Sequence, residues 1–388
     1  MKIVIALLIF SLIVIIHEFG HFLLARLNGV EVTEFSLGMG PRIVTFVKTD
    51  KGLRVKFFAS TKVCETTEGW AGKTKYSLKI LPFGGSCIML GEDDVVESEN
   101  AFCNKSVYQR MSVVFAGPLF NFILAFVLSV IIIAIAGYDK PVVVSVEDNM
   151  PMKEAGVLPG DEIVKINNTK IHLDREIGAY FTFNPLTGNE TIDFTVKRGS
   201  ETFEVSVKPK LAEDESVTDG FVNGAIQEKK EVSSSYRVGF VHGSDRVKGN
   251  AVDVLKYSVY EVKYWIVTTV KSLGMMVTGK VSKDEISGPV GIVNTIGDLV
   301  DETKGYGISS VMLTLMSFCI LLSANLGVMN LLPIPALDGG RLLFQIIEVI
   351  RRKPVNQEKE GLITLIGFAA LMILMVLILF NDISKIIG

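Results

Sequence analysis

The chain has 388 residues, 49% of them hydrophobic, with a formal net charge of -3 and a mean hydropathy of +0.42. It is too apolar for an ordinary soluble enzyme and, with 21% charged residues, too polar to lie wholly in a bilayer, so part of it must extend beyond the membrane. A pI near 5.9 leaves no global basic field, which argues against nucleic acid as a partner, and Cys64, Cys87, Cys103 and Cys319 lack the CxxC spacing of a zinc ribbon or the pairing of a disulfide scaffold.

The first element is an apolar stretch from Ile3 to Leu27, long enough to cross the roughly 30 Å hydrocarbon layer. Inside it lies the run HEFGH, with Glu18 between His17 and His21. On a helix the two histidines sit one turn apart on one face, so both imidazoles can reach a single ion with a carboxylate alongside. Zinc takes neutral nitrogen ligands and keeps a position open for water, whose proton a neighbouring carboxylate can accept. The pattern HExxH arises by chance in unrelated chains, but ionisable groups at membrane depth are costly, on the order of 2.5–3.5 kcal/mol each, and mark function. Lys2 followed by Ile3 to Ile16 imitates a signal peptide. No small-residue cleavage site follows, however, and apolar character resumes at Phe22 to Leu24.

The next segment alternates apolar and polar residues around Leu53 to Phe58 and Tyr76 to Leu90, where Gly84 and Gly85 allow close backbone approach. A second crossing is expected from Met111 to Gly137. Beyond it, Val142 to Val146, Thr191 to Val196 and Thr202 to Val207 read as strands, and Leu211 to Gly249 is polar and broken by Gly and Ser, with one more strand possible at Tyr236 to Val241. Val252, Leu255, Val259, Val262, Trp265 and Ile266 recur at helical spacing, as on an amphipathic helix at the membrane or against the core. The third and fourth crossings are Ile308 to Leu337 and Leu362 to Phe380. Pro333 and Pro335 interrupt the end of the third, and Asp338 follows directly; it is the best candidate for the third protein ligand that two histidines leave wanting.

Four crossings put both termini on one side. Arg26, Arg42, Lys48, Arg54, Lys56, Lys73, Lys75 and Lys79 in the first loop, and Arg341, Arg351, Arg352, Lys353 and Lys359 in the short third loop, mark these loops as cytoplasmic. The metal site then lies near the cytoplasmic face, and the segment from about Tyr138 to Gly307 lies outside.

Taken together, HEFGH (His17 to His21), GPLFN (Gly117 to Asn121), FSLGMGP (Phe35 to Pro41), LPFGG (Leu81 to Gly85), SGPVGI (Ser287 to Ile292) and NLLPIPALDGG (Asn330 to Gly340) give a chain that resembles the site-2 intramembrane metalloproteases of the bacterial regulator-of-sigma-E type. The resemblance implies one zinc ion held by His17, His21 and Asp338, with Glu18 as general base. It also implies substrate contacts at Asn330, Gly84, Gly85 and Asn121, and a membrane-associated β element that offers an edge to an unwound substrate. It further implies a single PDZ module, whose turn, strand and hairpin match EAGVLPGDEIVKINNTKI from Glu154 to Ile171.

The expected fold is therefore a multi-pass α-helical membrane protein with four transmembrane helices, an inserted β-rich PDZ domain and the β element. The expected organisation is an N-terminal protease half (1–137), a PDZ-like domain and its extension (138–243), an amphipathic helix and connector (244–307) and a C-terminal protease half (308–388). The expected function is zinc-dependent cleavage of single-span membrane proteins, such as anti-sigma factors or remnant signal peptides, in the bacterial plasma membrane, with lipid as the other partner and the PDZ module outside. A non-catalytic PDZ-bearing scaffold and a metal transporter are the alternatives; neither needs the carboxylate of Glu18 beside the first histidine.

Overall fold

The computed structural model describes residues 2–387 apart from 71, 93, 223, 224, 244 and 281–287, so Ser287 of the SGPVGI motif lies outside the described residues. The chain begins with α1 (Lys2–Leu27), an aliphatic run without proline, in which every backbone group can be satisfied internally, as a bilayer demands. Gly29, at φ +68°, turns the chain out of the helix. There follow β1 (Val32–Thr49), β2 (Gly52–Phe57), the short α2 (Thr61–Thr66) and β3 (Lys75–Met89), with the sheet ordered β2-β1-β3. The segments read as alternating strands are β2 and β3. β1 was not expected as a strand, because Gly38, Gly40 and Pro41 punctuate it.

Phe35 lies opposite both Cys87 and Tyr76, so β1 and β3 bend and the first part of β1 runs between the two arms of β3. The second arm, Gly85 to Met89, therefore pairs with β1 on one side, and no other strand pairs with it among the described residues. α3 (Val107–Ala136) comes next. A Cβ on Gly20 would overlap the carbonyl of Ala116, so α1 and α3 meet backbone to backbone at the HEFGH turn.

The chain folds as two compact units, residues 1–129 with 265–388, and residues 130–264. The second contains β4 (Val143–Val146), α4 (Pro151–Glu154), β5 (Glu162–Ile166), β6 (Thr169–Lys170), α5 (Arg175–Phe183), β7 (Ile192–Arg198), β8 (Glu201–Val207), β9 (Lys210–Val222), β10 (Ala225–Arg237) and β11 (Phe240–His242). One sheet is ordered β6-β5-β7-β8, β4 pairs with β11, and Met152, Val157, Ile163, Ile177, Phe194 and Val196 are among its buried core. The polar stretch after Leu211 forms, with β9 and β10, a long antiparallel hairpin in register from Lys210–Arg237 to Val222–Ala225.

The unit boundary falls within α6 (Ala251–Val277), which is longer than the amphipathic pattern that announced it. Then come α7 (Pro289–Thr303), α8 (Ile308–Asn330), α9 (Asp338–Arg351) and α10 (Gln357–Ile387). Asp382 of α10 accepts the N–H groups of Gly288, Val290 and Gly291 at 2.8–3.1 Å and so caps α7. α8 stops at Asn330 and not at Leu337, because Pro333 and Pro335 cannot continue it. The basic residues assigned to a third loop are partly on α9, an amphipathic helix whose Glu348 pairs with Arg110 of α3 at 2.6 Å and whose Arg341 pairs with Glu92. Among the described residues, α1, α3, α8 and α10 are long and apolar enough to cross a membrane. The protein is thus a multi-pass membrane protein with an inserted β-rich unit.

Candidate metal centre

The helical spacing of HEFGH sets both imidazoles on the face of α1 that meets α3, where His17 and His21 are buried. Asp338 reaches them from the other end of the chain. After α8 the backbone turns through Leu331 to Leu337, with Ala336 at φ +80°, and Asp338 is the first residue of α9. The turn closes only because two glycines follow: a Cβ on Gly339 would overlap the Leu332 carbonyl, and one on Gly340 the Ile334 carbonyl. The short spacing Asp-Gly-Gly is what this return requires.

His17 Nε2 and Asp338 Oδ2 are 3.2 Å apart, His21 Nε2 and Asp338 Oδ2 3.5 Å, and the two Nε2 atoms 3.2 Å. Asp338 Oδ2 is buried without a hydrogen-bond partner of its own. Three electron-pair donors so close together repel one another unless a cation lies between them. Tetrahedral zinc, with bonds of about 2.0–2.1 Å, separates neighbouring ligand atoms by about 3.3–3.4 Å, so the donor set fits that ion in both chemistry and spacing. His21 Nδ1 lies 2.9 Å from the Val113 carbonyl, which turns its Nε2 inward. Gly117 of α3 leaves room for both rings; a Cβ there would overlap His21 Nε2 and come within 2.7 Å of His17 Cε1.

Glu18 shares a cavity of about 1440 Å³ with His17, His21, Asp338, Gly85 and Cys87. The backbone N–H of Cys87, on the second arm of β3, is near the Glu18 carboxylate. Burial pushes the Cys87 thiol far up. A Cβ on Gly85 would lie 3.1 Å from Glu18 Cγ, so this strand edge passes directly beside the carboxylate.

The model of peptidase family M50 matches residues 5–67 and 52–374, spanning all of these elements. The chain belongs to peptidase family M50. It is 35% identical over 382 residues to a provisionally named zinc metalloprotease of Clostridium acetobutylicum, covering 98% of this chain and 97% of that one. It is 31% identical to the regulator of sigma-W protease of Bacillus subtilis, with 97% of each covered, and 29% identical to the zinc metalloprotease RasP of Geobacillus kaustophilus, covering 97% of this chain and 96% of that one.

The four expected chemical residues, His17, Glu18, His21 and Asp338, all line one cavity. Of the expected substrate contacts, Gly85 lies on the cavity wall, whereas Gly84, Asn121 and Asn330 are not on it; Asn330 has its Nδ2 3.5 Å from His17 Nε2. Asn121 is fully buried on α3, with its Nδ2 3.2 Å from His17 Nδ1. Val113 and Gly117, which hold the rings, escaped the sequence reading. The only signal was the glycine of GPLFN, whose purpose depends on a neighbour almost 100 residues away.

Proposed function

We propose that the chain is an intramembrane zinc endopeptidase that cleaves single-span membrane proteins. The observation that carries this reading is the convergence of His17, His21 and Asp338, with Glu18 beside them, on a helix of membrane-spanning length. When bound by these three residues, zinc polarises the scissile carbonyl and lowers the pKa of water. Glu18 is the general base that takes the proton from the attacking water. A substrate helix must unwind first, since its carbonyls are engaged in its own hydrogen bonds. The Gly85–Met89 arm, paired on one side, supplies replacement backbone bonds next to Glu18. Asn330, whose amide nitrogen lies 3.5 Å from His17 Nε2, is the residue that donates to the substrate backbone in this reading.

The basic loops assign the site to the cytoplasmic side of a bacterial plasma membrane and residues 138–243 to the outside. That β-rich segment is a single PDZ-like module by its β4–β11 pair, its four-stranded sheet and the turn through Gly156 to Asp161, and it governs which substrates gain access. The name of the Bacillus subtilis relative, a regulator of sigma-W, favours anti-sigma factors as a substrate class, with remnant signal peptides as another.

The test is cleavage of a tagged single-span protein by the full-length chain in membranes. Glu18→Gln should retain wild-type zinc yet lose at least the roughly 10²–10⁴-fold that general-base catalysis contributes. Substantial residual cleavage at equal zinc content would remove Glu18 from the role of base.

A further inference from the structure

The two histidines are braced unequally. His21 Nδ1 faces the carbonyl of Val113 at 2.9 Å, a group that can only accept, so its proton is on Nδ1 and its Nε2 lone pair is free for an ion. His17 Nδ1 instead faces the Asn121 side-chain nitrogen at 3.2 Å, while Asn121 Oδ1, equally buried, has no partner. With a donor at Nδ1, the His17 proton would be forced onto Nε2, the atom that faces Asp338 and His21. In that tautomer Nε2 has no lone pair to offer a metal.

Exchanging the amide oxygen and nitrogen, which occupy nearly identical volumes, removes the conflict at His17 and moves the unpartnered position from the oxygen to the nitrogen. Oδ1 then accepts the Nδ1–H of His17 and is no longer an orphan, and Nε2 is free. We infer that Asn121 is a positioning residue whose side-chain oxygen accepts the Nδ1–H of His17 and holds that ring in the metal-binding tautomer. The inference rests on the zinc reading above. Asn121 is itself held in place: its backbone carbonyl accepts the Ser323 hydroxyl of α8 at 2.8 Å, and both residues are fully buried. α8 thus fixes α3 at the residue that orients a ligand on α1, and the same helix leads directly into the turn that delivers Asp338. Histidine ligands elsewhere are oriented by such acceptors, and losing one typically costs 10–100-fold in metal affinity.

Zinc affinity of the full-length chain, measured by competition with a chelator, tests the assignment without reference to proteolysis. Asn121→Leu removes the acceptor and should weaken zinc binding by roughly 10–100-fold. Asn121→Asp keeps an acceptor and loses the donor, so it should bind zinc as tightly as wild type or more tightly. Should Asn121→Asp lose as much affinity as Asn121→Leu, or Asn121→Leu lose none, the inference is overturned. Nitrogen NMR shifts of His17 in the zinc-loaded wild type give a direct readout that no variant's folding can disturb: a protonated Nδ1 supports the assignment, and a protonated Nε2 refutes it. If the wild type binds no zinc at all, the metal reading itself fails, an outcome distinct from normal zinc binding with an unaffected Asn121→Leu.

Discussion

The β-rich unit and the metal centre treat buried ionisable groups in opposite ways. In the β-rich unit, Asp161 is buried against Arg198, whose guanidinium donates to its two oxygens at 2.7 and 2.8 Å, and Glu261 is buried against Arg175 at 2.6 Å. Each of these charges has found a counter-charge within the chain, which is the usual condition for burying it. In the membrane unit, His17, His21 and Asp338 are packed within 3.5 Å of one another, and each presents an electron pair to the others. A group that stabilises a fold is neutralised by the fold. A group reserved for a ligand is left in want of one.

The sharpest way to break this contrast is to remove a donor from the second cluster. Asp338→Ala should lower zinc affinity by more than the roughly 10–100-fold that follows loss of an outer partner, and proteolysis should fall to background. Retention of wild-type zinc stoichiometry and affinity by the purified variant would mean that another residue is the third ligand.

A smaller change tests whether the space around the rings is itself part of the centre. Gly117→Ala adds only a methyl group, but it lands on His21 Nε2 and 2.7 Å from His17 Cε1, where the α3 backbone cannot easily retreat. We expect overpacking to cost about 1–3 kcal/mol, which appears as a roughly 5–150-fold loss of zinc affinity if the rings yield and as lowered thermal stability if α3 does. Unchanged affinity together with unchanged stability would show that the rings are not confined there.

How far these features could be read beforehand follows from their range in the chain. His17, Glu18 and His21 declared themselves because their relation is local, one helical turn inside an apolar run. Asp338 was recoverable because its cause is also local: two prolines end a helix and two glycines let the chain return. The four crossings were legible for the same reason. β1 was not, because Gly38, Gly40 and Pro41 are strand breakers by propensity, and the bend they create becomes meaningful only once β3 wraps both sides of Phe35. α9 is hidden behind its basic residues, whose sign points to a cytoplasmic loop. Its alternation of Leu342, Phe344, Ile346 and Ile347 with Arg341, Gln345 and Glu348 is helical, and Arg110 and Glu92 on distant segments supply its ionic partners. Asn121 is a substrate contact by resemblance alone, and nothing within 100 residues of it reveals that its neighbour is His17.

The last prediction takes the other side of the contrast, where burial serves stability alone. The Arg198 guanidinium beside Asp161 holds its carboxyl below the usual carboxylate range, with a backbone bond from Leu158 assisting. Because the folded-state pKa lies below the unfolded value of about 3.9, the pair's contribution is fully present above that value and disappears as pH falls through the folded one. Arg198→Met should therefore destabilise β5 and β7 modestly at neutral pH, since the arginine is half exposed to solvent and its pairing is screened. The difference from wild type should shrink below about pH 4, as protonation of Asp161 removes what the arginine was there to pair. Hydrogen exchange of the β5 and β7 amides in the full-length protein reads this directly. Zinc affinity should not change at any pH where the wild type binds the ion. A loss of zinc in Arg198→Met would show that the charges of the β-rich unit do more than hold that unit together, and the division between the two kinds of burial would have to be withdrawn.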